Sequence, residues 1–179
     1  TLNIPEDDTQ TLYEESALCG VRHFTGTIIM EHPHLWNGLK DPFLYTATAD
    51  LKKNSEVIDE VTTKFGCRSY SFDPERGFFL NGESYPLRGV SRHQDRLGVG
   101  NALTKEMHEE DMELILSVGA NSIRLAHYQH DQYFYDLCDE KGIVAWAEIP
   151  YITVHMEGGR ENTISQMKEL IVQNYNHIS

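Results

Sequence analysis

Ser122-Ile123-Arg124-Leu125-Ala126 and Ile143-Val144-Ala145-Trp146-Ala147 are two short apolar runs, and the stretch between them reads as a helix. Tyr133, Phe134, Leu137 and Cys138 fall on one side of that helix at 3- and 4-residue spacing. Lys141-Gly142 ends it, because glycine takes the left-handed backbone at a helix C-terminus without strain. The run Ile143–Ala147 is continuously apolar, as a parallel strand covered on both faces requires. Strand, helix and strand in this order form a parallel βαβ unit.

The same alternation extends outward on both sides. Leu87-Arg88-Gly89-Val90-Ser91 is a strand candidate, followed by a helix with Thr104 as N-cap. Met112, Ile115 and Leu116 share a face of that helix, and Gly119 stops it. Downstream, Thr163-Ile164-Ser165-Gln166 fits a capping box, in which the first and fourth side chains satisfy each other's backbone N–H groups. This predicts a third helix with Ile164, Met167, Ile171 and Tyr175 on its apolar face.

The first ~70 residues read differently, as β structure. Val21–Met30 is a strand. Phe43–Leu51 and Val57–Phe65 flank the polar turn Lys52-Lys53-Asn54-Ser55-Glu56 and make a hairpin. Short strands broken by turns predict an antiparallel sandwich. A boundary falls near Asp73-Pro74-Glu75-Arg76-Gly77, giving domains 1–73 and 74–179. Just past it, Asn81-Gly82 between apolar stretches signals a hairpin, since a type I′ turn needs positive φ at both central positions. The fold class is thus a β-sandwich followed by α/β.

Composition bounds the function. The chain has 179 residues, of which 40% are hydrophobic, enough for a real core. A complete (β/α)₈ barrel needs about 250 residues and does not fit. Fifteen Lys and Arg against 28 Asp and Glu give a net charge of −13, which disfavours nucleic acid and anionic membranes as partners. No apolar run approaches the ~20 residues that span a bilayer. Thr1–Asp8 lacks the basic end and apolar stretch of a signal peptide, and no Met precedes it, so the start of the protein stays open. Cys19, Cys67 and Cys138 form no CxxC pair and read as reduced core residues, consistent with a cytoplasmic protein.

Ligands of parallel α/β folds bind where strands end. The three strands exit into Arg92-His93-Gln94-Asp95, His127-Tyr128 and Glu148-Ile149-Pro150-Tyr151. A rim of two histidines, carboxylates and aromatic rings suits a sugar, whose hydroxyls need donors and acceptors and whose C–H faces pack on rings. His93 alone reads as a strand-end histidine bonded to backbone; His127 at the matching exit shifts the balance towards a shared site. Arg124, inside an apolar strand, demands a carboxylate partner if buried. Glu148 is either that partner or a rim residue, and the alternative role of such an ion pair is only to hold the sheet together. The Tyr133–Tyr135 cluster reads as core and Glu109-Glu110-Asp111 as a solvated helix face. His32, His34 and His155 show no metal-ligand spacing.

These residues carry a resemblance. Leu87–Asp95 resembles the first barrel strand of glycoside hydrolase family 2, which includes β-galactosidases and β-glucuronidases. Asn121–Tyr128, then Asp139 and Gly142 leading into Ile143–Trp146, resembles that family's first signature. Trp146-Ala147-Glu148-Ile149-Pro150 is similar to the third-strand exit of its bacterial β-galactosidases. Upstream, His34–Gly38 and Pro42–Tyr45 resemble its immunoglobulin-like sandwich, and Phe65-Gly66 with Gly77–Gly82 resembles the link to the barrel.

The resemblance implies an incomplete TIM barrel, its first three βα units, within a retaining exo-glycosidase acting on terminal β-D-galactosides. The alternatives are a β-glucuronidase of the same family and a non-catalytic carbohydrate-binding or interaction module. Retaining enzymes use two carboxyl groups about 5–5.5 Å apart. In the family both are glutamates that would lie beyond Ser179, so no catalytic residue is expected in this chain and the chain alone is expected to be inactive. The resemblance implies that His93 and His127 contact the sugar and that Arg124 supports the nucleophile; the strand-exit residues Asp95 and Glu148 complete the expected sugar-binding set. Leu125-Ala126 and Gln129 depart from the family's usual small residues and proline. The positions matching a family Mg²⁺ site are Ile152 and Val154, which cannot ligate, so no cofactor is expected. The complete enzyme is expected to be an oligomer.

Overall fold

The computed structural model describes the backbone of residues 2–3, 10–18 and 21–179, and side chains from residue 25 onward. Cys19 lies outside the described residues. The contacts divide the chain into two compact units, 1–34 with 45–64, and 35–44 with 65–179.

The first unit is antiparallel. Strands β1 (Leu2–Asn3), β2 (Gln10–Leu18), β3 (Val21–Ile29), β4 (Tyr45–Lys53) and β5 (Glu56–Phe65) follow in order. β2 pairs with β3 from Gln10↔Ile29 to Leu18↔Val21, and β4 lies between β1 and β5. The expected hairpin turn is present, with positive φ at Asn54 (50°) and Ser55 (71°), the pair of angles that matches strand twist. Thr48 and Thr62 hydroxyls bond across β4 and β5 at 3.1 Å.

In the second unit, the 35–44 segment is followed after the crossing by a meander of β6 (Tyr70–Asp73), β7 (Gly77–Leu80) and β8 (Glu83–Ser84). Asp73 Oδ1 accepts the N–H groups of Glu75 and Arg76, and this closes the first turn. Asn81 (φ 52°) and Gly82 (φ 82°) form the second, as the sequence predicts. Then come β9 (Gly89–Arg92), α1 (Lys105–Ser117), β10 (Ser122–Leu125), α2 (Gln132–Lys141), β11 (Val144–Ala147) and α3 (Arg160–Asn174). β9, β10 and β11 are parallel with β10 central, so the three successive βα units are confirmed.

Register places Ser91, Arg124 and Trp146 side by side, and Arg92, Leu125 and Ala147 one residue on. Side chains alternate along a strand, so these rows face opposite ways. The row of Leu125 joins Val90, Ile123 and Ala145 against Met112 and Ile115 of α1 and Phe134, Leu137 and Cys138 of α2. The row of Arg124 stays open, with Trp146 65% exposed. Gly89 is required at the start of β9, since a Cβ there would lie 2.6 Å from Ser122 Oγ.

Local signals explain the helix ends. Thr104 Oγ1 accepts the N–H of Met107, and Gly142 adopts the left-handed conformation after α2. Gly142 also sits where a Cβ would meet the Gly38 carbonyl oxygen at 2.2 Å. That close approach packs the 35–44 segment onto α2. Fully buried Trp36 donates its indole N–H to the Asp139 carbonyl at 2.8 Å, and its backbone N–H to Cys67.

Two expectations, both in α3, differ from the structure. α3 begins at Arg160, before the presumed capping box. Thr163 lies inside the first turn, and its hydroxyl bonds back to the Gly159 carbonyl at 2.9 Å instead of capping. Its buried residue is Leu170, while Met167, Ile171 and Tyr175 are exposed. In α2, Phe134 and Tyr135 are buried, and half-buried Tyr133 packs against the same core while its hydroxyl donates to the Glu109 carboxylate. Among the described residues, no helix is long and apolar enough to cross a membrane.

Candidate active site

Parallel strands deliver their exits to one edge. β9 leads to His93, β10 to His127 and Tyr128, and β11 to Glu148. The rings of His93 and His127 meet edge to face with centroids 5.0 Å apart, and Tyr128 lies 6.1 Å from His93. The Tyr128 hydroxyl accepts the N–H of Gln94, and Gln94 Oε1 accepts the N–H of Asp131 at 2.7 Å. Two exit loops are thereby tied together. Gln129, where the family motif has proline, ties the same loop to α3 by accepting from Asn174 Nδ2 at 3.2 Å.

Arg124 projects from the open face. Its Nε donates to Glu148 Oε1 at 2.6 Å and its Nη2 to Oε2 at 3.1 Å, a bidentate pair. Among the described residues the Arg124 side chain is 45% exposed, because these three strands leave its row of the sheet without cover, and its carboxylate partner here is Glu148. His127 Nδ1 lies 3.0 Å from both Arg124 Nη2 and Glu148 Oε2. A guanidinium only donates and a carboxylate only accepts, so Nδ1 satisfies one at a time. With the proton on Nδ1, the ring gives Nε2 as an acceptor. With Nδ1 accepting from Arg124, Nε2–H becomes a donor. Arg124 first, then His127, hold the Glu148 carboxyl below the usual range, so it is ionised at neutral pH.

Arg124 and Glu148 border an open cleft of about 460 Å³, while His93 and His127 lie outside its lining. Its floor is Ser91, Arg124 and Trp146, with Phe72 and Phe78 of the meander at one end and Glu148 at the other. Charged groups beside an exposed indole give a surface that can bond hydroxyls and stack a C–H face. Asp95 is exposed in the loop after β9, apart from the contacts that join His93, Arg124, His127 and Glu148.

Ile152 and Val154 are exposed beyond β11, and neighbouring His155 pairs with the Tyr151 hydroxyl at 2.6 Å. One group with cation-ligand chemistry occurs among the described residues, Asp136, Asp139 and His177. Asp139 already accepts from His177 Nδ1 at 2.7 Å and from the N–H of Ser179 at 2.9 Å. It reads as a tether for the last residues, whose Ser179 carbonyl accepts from Ala145 N at β11.

The sequence reading missed the buried Arg92, His108 and His130, and it took Asp111 for a solvated face residue. Asp111 instead accepts from Arg92, since it lies on the inward stripe of α1.

Residues 74–178 match the model of the glycosyl hydrolases family 2 TIM barrel domain, and residues 2–68 match that of glycosyl hydrolases family 2. The chain belongs to glycosyl hydrolase family 2. Its parallel unit is therefore part of a TIM barrel. It is 49% identical over 161 residues to the β-glucuronidase of Bacteroides fragilis, covering 85% of this chain and 23% of that protein. The β-galactosidase of Thermoanaerobacter pseudethanolicus is 32% identical over 152 residues, 84% of this chain and 20% of that protein. The crystal structure of an FMN-binding β-glucuronidase from Facaelibacterium prausnitzii L2-6 superposes with a TM-score of 0.77 at 45% identity, covering 97% of this chain and 28% of that one. FMN binding is a property of that protein. The chain thus spans under a third of the length of each of these relatives.

Proposed function

We propose that this chain is the sugar-contacting part of a retaining β-glucuronidase. The observation that supports it is the assembly of His93, Arg124, His127 and Glu148 at adjoining strand exits beside Trp146. The glucuronide preference draws on the 49% identity to a β-glucuronidase, against 32% to a β-galactosidase. The relatives thus favour the glucuronide alternative over the galactoside first expected from Trp146–Pro150.

In this reading His93 and His127 bond sugar hydroxyls, and Trp146 packs on the ring. Glu148 orients both Arg124 and His127, and ionised Glu148 keeps Arg124 positioned in the cleft. The two reacting carboxyl groups come from further barrel strands, so the 179-residue chain alone turns over nothing.

The test is a kcat/KM comparison of nitrophenyl β-D-glucuronide and β-D-galactoside on the full-length protein carrying this chain. Glucuronide preference is expected. Galactoside preference overturns the specificity, and no turnover of either favours a binding module. Turnover by the isolated chain would overturn the assignment of the carboxyl groups.

A further inference from the structure

On the other face of the sheet, behind the rim, lies a polar cluster that the sugar-binding reading does not use. Arg92 ends β9 and is 6% exposed. Its Nε and Nη2 donate to Asp111 Oδ2 on α1 at 2.9 and 2.8 Å. Nη2 also lies 3.0 Å from His108 Nδ1, and Nη1 lies 3.1 Å from His130 Nδ1. The guanidinium stands 3.9 Å from the centroid of the Phe134 ring.

A guanidinium has no lone pair to offer. Both Nδ1 atoms must therefore accept, and each neutral ring carries its proton on Nε2. Burial first, with the Arg92 charge adding to it, keeps both rings neutral; His130 is pushed down to about 4. In this tautomer His130 Nε2–H donates to the Ala126 carbonyl at 3.0 Å. The Ala126 N–H in turn donates to the Arg92 carbonyl at 3.0 Å. Ala126 is thus gripped on both sides, once by the Arg92 backbone and once by the Arg92 side chain acting through His130. The next residue is His127.

We propose that Arg92 and His130 form a clamp that fixes the backbone at Ala126 and so aims His127 at Arg124 and Glu148. Both are positioning residues, since neither reaches the open face. Packing alone would be served by an aliphatic side chain, as at neighbouring Leu125. What an aliphatic residue lacks is a directional bond to the carbonyl that leads into His127. The catalytic consequence rests on the glycosidase reading; the positioning stands on geometry alone.

The test has three parts. Long-range ¹H–¹⁵N spectra of the full-length protein, ¹⁵N-labelled at histidine, at pH 7 read each ring's tautomer, and His130 is expected as neutral Nε2–H. A proton on Nδ1, or a charged ring, overturns the clamp without any variant. Next, His130→Phe keeps a ring but removes both bonds, and should shift the His127 ring resonances. His130→Gln, able to accept from Arg92 and donate to Ala126, should restore them. Unchanged His127 resonances in His130→Phe overturn the proposal.

Finally, in the full-length protein His130→Phe should lower kcat by about 10- to 100-fold while KM moves less than about threefold. His130→Gln should recover most of that. A lowered Tm with kcat intact would assign the cluster to packing and overturn the clamp. Absence of glycoside turnover in the unmodified protein, with the His127 response intact, would overturn the glycosidase reading and leave the clamp standing.

Discussion

Arg92 and Arg124 sit on adjacent strands of one three-stranded sheet, each bonded through Nε and Nη2 to a carboxylate and close to histidine. Their surroundings differ completely. Arg92 is 6% exposed, faces the helices and meets two neutral rings. Arg124 is 45% exposed and faces an open cleft. The same pair of residue types is thus buried against helices on one face and left uncovered by these three strands on the other. Strand alternation decides which is which: Arg124 shares its row with Ser91, and Arg92 shares its row with Leu125.

The sharpest way to break that contrast is to remove each arginine. Arg92→Ala leaves the two buried histidine acceptors without a donor, while Asp111, 25% exposed, keeps Arg96 at 3.5 Å, so about 2 kcal/mol of unfolding free energy should be lost in urea titration. Arg124→Ala, on an open face, should lose under about 1 kcal/mol. Equal losses would show that exposure does not separate the two sites.

Function should respond in the opposite sense. In the full-length protein, His127→Ala should lower kcat/KM by about a hundredfold or more, with Tm nearly unchanged. A near-wild-type value would remove His127 from the sugar site.

The pH dependence of stability sharpens the contrast in another way. His130 has a depressed pKa, so its contribution is full above about 6.5 and is lost as pH falls towards about 4. His177 is raised by its bond to Asp139, so its contribution is full below 6.5 and is lost as pH rises through its raised value. His130→Gln should flatten the acid side of the stability profile and His177→Asn the alkaline side. A shift of both limbs by either variant would contradict the assignment. The smallest effect belongs to Thr104→Ala, which should lose about 0.5 kcal/mol of stability through the cap of α1, whose bond is long at 3.4 Å.

Much of the parallel unit was legible because its signals are local. Gly142, Asn81-Gly82 and Thr104 each act through backbone within a few residues. The start of α3 was not, since the Thr163–Gln166 pattern fits a cap but Thr163 found the Gly159 carbonyl instead. The rim was legible as a set of strand exits; the Arg124–Glu148 pair was one of two open readings, because it depends on register between strands. Arg92 was hidden behind its neighbour His93. One signal could have exposed it: His108, Asp111, Met112 and Ile115 follow the i, i+3, i+4, i+7 spacing of a buried helix stripe. A histidine and an aspartate on such a stripe need a buried cation, and alternation from Val90 points to Arg92.

The 35–44 segment packs with the parallel unit, while its flanks on both sides belong to the other unit. The chain therefore passes between the units at three points, after His34, Leu44 and Lys64. One cut at any of them leaves the two units covalently laced. A protease nick after Lys64 would not free a complete parallel unit, because Trp36 would stay on the other piece while its indole remains seated beneath α2. Under tension applied at the chain ends, that indole would bear load as a rivet between the two halves of the sequence.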